Sequence, residues 1–140
     1  MCGRCEGAFV GDYRKLDVWR KAHALAINVH RDAGAIRGAK YGSLRSQLIR
    51  AAMSIPANIV EGRSQISERD FRRFLRYALN SASELEYHLT LARDIQVLPN
   101  KTFAPLASQV VQVRKMLHGL LKSVATDIKG ERTPRTVSRS

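Results

Sequence analysis

Four arginines on one predicted helix have the type and spacing suited to binding a polyanion. They stand at positions i, i+3, i+4 and i+7, which places them on one helix face: Arg69, Arg72, Arg73 and Arg76. A guanidinium group donates hydrogen bonds in a planar fork that fits phosphate, and this arginine stripe contains no lysine. Three arginines from the preceding turn and helix are predicted to support it: Arg63, Arg50 and Arg45. The alternative, a face that is charged only because it meets water, stays open.

A second polar group surrounds a proline in the predicted second helix. Its members are Ser54, Pro56, Asn58, Glu61 and Gly62. Proline lacks a backbone N–H, so the carbonyl of Ala52, four residues earlier, loses its helical donor. Polar side chains beside the proline are suited to capping that disturbed backbone or to bonding with a neighbouring helix or subunit. We therefore interpret this group as a structural motif, with a polar functional site as the alternative.

Side chains typical of catalysis or metal binding do not form a recognisable site in the sequence. A di-iron bundle needs paired Glu-x-x-His motifs, whereas Glu84 and His88 are four residues apart and have no second pair. His23 and His30 are two helical turns apart, and we interpret them, with His118, as surface or interface residues. Phosphate-binding loops, nucleophile elbows and paired carboxylates are also missing. We predict a protein that is not an enzyme and that has no metal and no cofactor.

The elements that must position these residues are four amphipathic helices. Apolar residues recur at helical spacing over about 17–33, 44–61, 68–96 and 103–127, and no segment alternates like a strand. The short loops between them predict an all-α fold, an antiparallel up-down-up-down four-helix bundle over residues 16–128. Because the apolar spacing continues through Pro56, we expect the second helix to be kinked there and to end at Gly62.

The two ends of the chain are predicted to lie outside the bundle. We expect residues 1–15 to form a flexible N-terminal arm and residues 129–140 a disordered basic tail, with Gly130 closing the fourth helix. Cys2 and Cys5 form a single CxxC in the arm. Such a pair supplies two of the four ligands of a zinc site, and it lacks the strand–helix setting of a redox pair. We interpret both cysteines as incidental thiols.

The net charge favours a polyanionic partner. The chain has 24 Lys and Arg against 12 Asp and Glu, a net charge of +12. Such an excess attracts nucleic acid through long-range steering and counterion release. The sequence contains neither a run of 18 apolar residues nor the apolar segment of a signal peptide. We therefore expect a cytoplasmic protein with no membrane partner.

Four segments give the chain a resemblance to a known family. They are LDVWRKA at 16–22, SLRSQLIRAA at 43–52, SIPANIVEG at 54–62 and FLRYALNSASELE at 74–86. Together they resemble the four-helix-bundle proteins encoded in 23S rRNA intervening sequences, over about residues 13–121. The Pro-Ala-Asn-Ile-x-Glu-Gly core is the most specific part, although Val60 stands where Ala is commoner. Residues 1–12 extend beyond the usual start of the family.

The resemblance implies a small bacterial protein that assembles as a ring-shaped homopentamer. It also implies kinship with the accessory variability protein of diversity-generating retroelements, whose basic barrel binds nucleic acid and a reverse transcriptase. A ring would use a second apolar edge, formed by Leu79 and Leu91, as a subunit interface. We thus expect a non-enzymatic oligomeric bundle that binds RNA or DNA non-specifically through its arginines as an accessory factor. The alternative is a scaffold for a protein partner, with no nucleic-acid role.

Overall fold

The computed structural model describes residues 12–132, with side chains as far as Val124. Over this part of the chain the structure consists of helices, and no strand is present. The four α-helices are α1 (Asp17–Gly34), α2 (Gly42–Arg63), α3 (Glu68–Asp94) and α4 (Asn100–Arg132). Short 3₁₀ turns at Tyr13–Lys15 and Ala39–Tyr41 precede α1 and α2. The prediction of an all-α four-helix fold is confirmed.

The predictions for the chain ends fall mostly beyond the described residues. Cys2 and Cys5 lie outside them, as does most of the predicted arm at 1–15. Within the arm, Tyr13–Lys15 forms a turn in which the Asp12 carboxylate accepts a hydrogen bond from the N–H of Arg14 at 3.0 Å. At the other end, α4 continues to Arg132, so the helix passes through Gly130 and through the first residues of the predicted tail.

One apolar core joins the four helices. Its largest fully buried side chains are Leu25, Val29, Leu48, Ile55, Ile59, Leu75, Leu85, Leu89, Val110, Val113 and Leu117. Each helix contributes residues at spacings of three and four, the pattern that puts one face of a helix against its neighbours. None of the described helices is long and apolar enough to cross a membrane.

Contacts between consecutive helices show their relative order. Gly62 in α2 lies against Phe71 in α3, and Ser54, two turns earlier, meets Ser81. Residue numbers therefore fall along α2 as they rise along α3, which is the order expected of antiparallel neighbours. The up-down-up-down order of the whole bundle and a kink at Pro56 stay predictions. Pro56 itself is buried within α2, which is helical on both sides of it.

Gly62 does not end α2, which corrects the sequence prediction. The helix continues to Arg63, and the N–H of Ser64 bonds to the carbonyls of Val60 and Glu61, both at 3.2 Å. Gly62 is buried where a Cβ would lie 2.9 Å from Cδ1 of Phe71. The glycine therefore lets α2 approach α3 closely, and it does not provide the left-handed conformation typical of a helix end.

The predicted second apolar edge of α3 is largely used within the chain. Leu79 is partly buried and packs against the core, and Leu91 is half-buried. The exposed large apolar side chains of α1 and α2 are instead Ile27 and Met53. Exposed apolar side chains are therefore found on α1 and α2 as well as on α3.

Candidate nucleic-acid interface

The arginine stripe occupies the first half of α3. Ser67 begins this helix: its Oγ accepts a hydrogen bond from the N–H of Asp70 at 3.1 Å and donates to the Asp70 carboxylate at 2.9 Å. Beyond this cap, Arg69, Arg73 and Arg76 are exposed and Arg72 is half-buried. Between Asp70 and the next acid, Glu84, lie thirteen residues that include three arginines and no carboxylate. A surface of concentrated positive charge results.

Among the side chains that the structure describes, one acid is paired with these four arginines. Nη2 of Arg73 lies 3.2 Å from Oδ1 of Asp70, and its Cζ lies 5.5 Å from the centre of the Phe74 ring. More than half of the Arg73 side chain is still exposed. Exposed pairs of this kind are weak and are screened by salt, so the pairing does not remove Arg73 as an anion ligand.

Arg63 joins the stripe from the end of α2. Its Cζ lies 5.4 Å from the centre of the Phe71 ring, at the point where Gly62 brings the two helices together. Nε of Arg63 and Nε of Arg72 are both buried, and neither has a hydrogen-bond partner in the described structure. Their guanidinium charges are thus held next to α3 without a carboxylate to offset them.

Arg45 and Arg50 are placed away from the stripe. Nη1 of Arg45 donates to the carbonyls of Ile36 and Gly38, at 2.8 and 3.0 Å, and so braces the α1–α2 loop. Arg50 is exposed but precedes Ser54 by one turn. Because Ser54 meets Ser81, Arg50 lies level with α3 residues beyond Ser81 and not with the stripe. Of the three predicted supporting residues, the structure brings only Arg63 to the stripe.

The polar motif around Pro56 links α2 to α3. Nδ2 of Asn58 donates to the backbone carbonyl of Ser54 at 2.8 Å and to its Oγ at 3.0 Å. That Oγ lies 2.7 Å from Oγ of Ser81, which is a buried polar residue. The motif thus bonds to a neighbouring helix, as predicted. The backbone acceptor for Asn58 is Ser54, however, and not the Ala52 carbonyl that Pro56 leaves without a donor.

Glu61 is not joined to this hydrogen-bonded group. Its side chain is exposed, whereas its backbone carbonyl accepts hydrogen bonds from Oγ of Ser64 at 2.7 Å and from Nε2 of Gln65 at 3.0 Å. The carboxylate therefore faces solvent near the end of α2. Glu61 stabilises the turn between α2 and α3 through its backbone carbonyl and not through its side chain.

Several other titratable side chains form isolated contacts. Nε2 of His88 lies 3.3 Å from Oε1 of Glu84, and the His23 ring stacks on Trp19 with centres 4.8 Å apart. The Asp32 carboxylate accepts a hydrogen bond from Arg31 and raises the pKa of that guanidinium. Among the residues that the structure describes, no three His, Cys, Asp or Glu side chains are grouped as metal ligands.

Most of the bundle corresponds to one protein family. The family model described as "23S rRNA-intervening sequence protein" matches residues 14–119, from the turn before α1 to the middle of α4. The chain belongs to this family. Its fold is similar to the crystal structure of a protein with unknown function from the S23 ribosomal protein family of Bacteroides thetaiotaomicron VPI-5482. That similarity has a TM-score of 0.71 at 25% identity, over 75% of this chain and 98% of the other. No curated protein matches.

In this intervening-sequence family protein, a tyrosine that the sequence analysis did not predict lies beside the arginine stripe. Tyr77 is 44% exposed, and its ring meets Phe74 edge-on, with centres 5.5 Å apart. It follows Arg73 by four residues, so it lies on the same helix face as the stripe. That spacing was the available signal, because an aromatic residue on the charged side of an amphipathic helix is not needed for the core.

A groove between α1 and α2 is the second feature that sequence reasoning missed. The α1–α2 groove has a volume of about 450 Å³ and is lined by Trp19, His23, Ala26, Ile27, His30, Met53, Pro56, Ala57 and Val60. Its lining contains no Lys, Arg, Asp or Glu. The side chains of Ile27 and Met53 are 56% and 55% exposed there. The groove is therefore an apolar surface on an otherwise basic chain.

Proposed function

We propose that this protein is a non-enzymatic, self-associating bundle that binds nucleic acid through its phosphates, as an accessory factor. The observation that carries the proposal is the stripe itself: four arginines on one face of α3, of which only Arg73 has an acidic partner among the described side chains. Arg63 extends the same surface from α2. The binding is expected to be non-specific, because phosphate contacts carry no sequence information.

The arrangement of charge supports this proposal. Like charges at spacings of three and four destabilise an isolated helix by a few tenths of a kcal/mol per pair. Elsewhere in the described chain, Arg20, Arg31, Arg93 and Arg114 are each paired with a carboxylate. Arg69, Arg72 and Arg76 have no such partner, so a polyanion would offset repulsion that the fold leaves in place.

Fluorescence anisotropy of labelled nucleic acid tests this function. The four stripe arginines would be replaced together by Gln. A matched variant would carry Lys21→Gln, Arg37→Gln, Lys101→Gln and Lys115→Gln, which removes the same charge from exposed sites elsewhere. Each protein would be titrated into an RNA hairpin, duplex DNA and heparin at low and physiological salt. Replacing the stripe should weaken binding and lower the salt slope by about one for each lost phosphate contact, whereas the control should change little.

Two results would contradict the proposal. If both variants weakened binding equally, net charge and not the stripe would be responsible. If heparin were bound more tightly than either nucleic acid, and physiological salt abolished nucleic-acid binding, the charge would be generic. The protein would then fit better as a scaffold for another protein.

We further propose that copies of the chain associate through the α1–α2 groove. Chains that each carry a charge of +12 repel one another, and the groove offers contact without opposing like charges. Two of its side chains, Ile27 and Met53, are large, apolar and more than half exposed. The ring of five copies implied by the resemblance stays a prediction. In such a ring the α1–α2 groove would be buried between neighbouring copies.

Light scattering coupled to size-exclusion chromatography tests the association. Ile27→Asp would place a carboxylate in the groove, and we expect it to reduce the measured mass toward that of one chain. Ile66→Asp is the matched control, because Ile66 is 83% exposed in the α2–α3 loop and the charge change is identical. A wild-type protein with the mass of one chain, or equal effects of both variants, would contradict the proposal.

A further inference from the structure

Tyr77 places an aromatic ring among the arginines of α3. On a helix of 3.6 residues per turn it lies beside Arg76 and one turn beyond Arg73. The Phe74 ring packs against it edge-on at an angle of 89°, and Phe74 is itself covered by the guanidinium of Arg73. Tyr77 is thus supported from one side while 44% of it remains exposed.

A second exposed tyrosine continues this surface. Tyr87 is 61% exposed and lies three turns after Arg76, about 15 Å further along α3 than Tyr77. Both rings stand outside the apolar core. Between the two tyrosines α3 carries no Lys or Arg, and the exposed Glu84 precedes Tyr87 by three residues, so the positive charge on this side of the helix is concentrated around Tyr77.

We propose that the arginine stripe and Tyr77 bind single-stranded nucleic acid, with one unpaired base stacked on the Tyr77 ring. This inference rests on the proposed function and specifies its ligand. Surfaces that bind single strands combine cationic side chains along the backbone with aromatic rings under the bases. In a duplex the base faces are covered by their neighbours, so a tyrosine on a helix surface gains nothing from them. A duplex would therefore contact the arginines through its phosphates without stacking a base on Tyr77.

The test compares single strands with a duplex at physiological salt. Labelled oligo(dT), oligo(U) and duplex DNA of equal length would be titrated with wild-type protein, Tyr77→Ala and Tyr77→Phe. We expect Tyr77→Ala to weaken single-strand binding about fivefold or more while leaving duplex affinity and the salt slope unchanged. Tyr77→Phe should keep the wild-type affinity, because stacking needs the ring and not the hydroxyl.

The outcomes separate this inference from the function on which it rests. If single strands and duplex bind equally and Tyr77→Ala changes neither, the stacking proposal is wrong although phosphate binding stands. If replacing the stripe arginines changes no affinity, the proposed function is wrong whatever Tyr77 does. Tyr77→Leu guards against a folding artefact, because it retains an apolar side chain without an aromatic face. Tyr77→Leu should lose single-strand affinity as Tyr77→Ala does, and wild-type affinity in Tyr77→Leu would overturn the inference.

Discussion

Gly62 in α2 and Phe71 in α3 are so close that one added methyl group would not fit between them. A Cβ at position 62 would lie 2.9 Å from Cδ1 of Phe71 and 3.0 Å from Cβ of Phe74. Phe71 is buried, so its ring has little room to move away. The last residue of the Pro-Ala-Asn-Ile-x-Glu-Gly motif therefore sets how closely two helices pack.

We expect Gly62→Ala to lower the free energy of unfolding by about 1 kcal/mol. Overpacking of a core costs about 1–3 kcal/mol, and the better helix propensity of alanine returns up to about 1 kcal/mol. Urea unfolding followed by circular dichroism measures the difference. Gly119→Ala in α4 is the control, because nothing lies within 4 Å of its added Cβ, and it should stabilise the protein. Stabilisation by both changes would show that the contact at position 62 relaxes freely.

The hydroxyl pair between Ser54 and Ser81 should contribute measurably to stability. Each single change to alanine leaves the other hydroxyl short of one partner, so we expect a loss of about 1 kcal/mol. The double variant should lose less free energy of unfolding than the two single variants lose in total, because the two residues share one interaction. Ser83→Ala, at an exposed site of α3, is the control and should change the free energy of unfolding little. Strict additivity would mean that the pair is not coupled.

Arg45→Gln should affect stability and not nucleic-acid affinity. The change removes a charged donor from two loop carbonyls, including that of Gly38, whose φ of 108° makes the loop conformation demanding. We expect a loss of about 1 kcal/mol in thermal or urea unfolding. Arg37→Gln, which removes the same charge from an exposed site in that loop, should be neutral. If Arg45→Gln weakened nucleic-acid binding and Arg37→Gln did not, Arg45 would be part of the nucleic-acid interface.

Asp70→Asn should strengthen nucleic-acid binding. It removes the carboxylate that pairs with the stripe in the described part of the chain and frees Arg73, so affinity at low salt should rise about twofold. Stability should fall slightly, because an acid in the first turn of a helix favours the helix. Asp94→Asn makes the same charge change and frees Arg93 at the far end of α3. If both variants raised affinity equally, the location of the charge would be irrelevant.

The sequence predicted the features that depend on one helix at a time. Apolar spacing located all four helices, and the spacing of the stripe arginines predicted their common face. The sequence did not predict contacts between residues of two different helices or of a helix and a loop. In the sequence Arg45 looks like any helical arginine, and only the folded loop brings two carbonyls to it. Gly62 likewise looks like a helix end, and only the structure shows that it packs against Phe71. The partner of Ser54 was equally hidden, since Ser81 is 27 residues away.

That serine pair has a consequence for the alignment of the bundle. Apolar side chains tolerate sliding of one helix along another, since one leucine fills much the same space as the next. A shift of α2 by one turn would set the Ser54 hydroxyl against Ala78 or Leu85, both fully buried, and would break its contact with the buried Ser81 hydroxyl. Ser54 would keep the hydrogen bond from Asn58 in its own helix, so the loss of the bond between the two helices is what opposes the shifted register. A single polar contact thus selects one axial position for the helix that carries the proline motif.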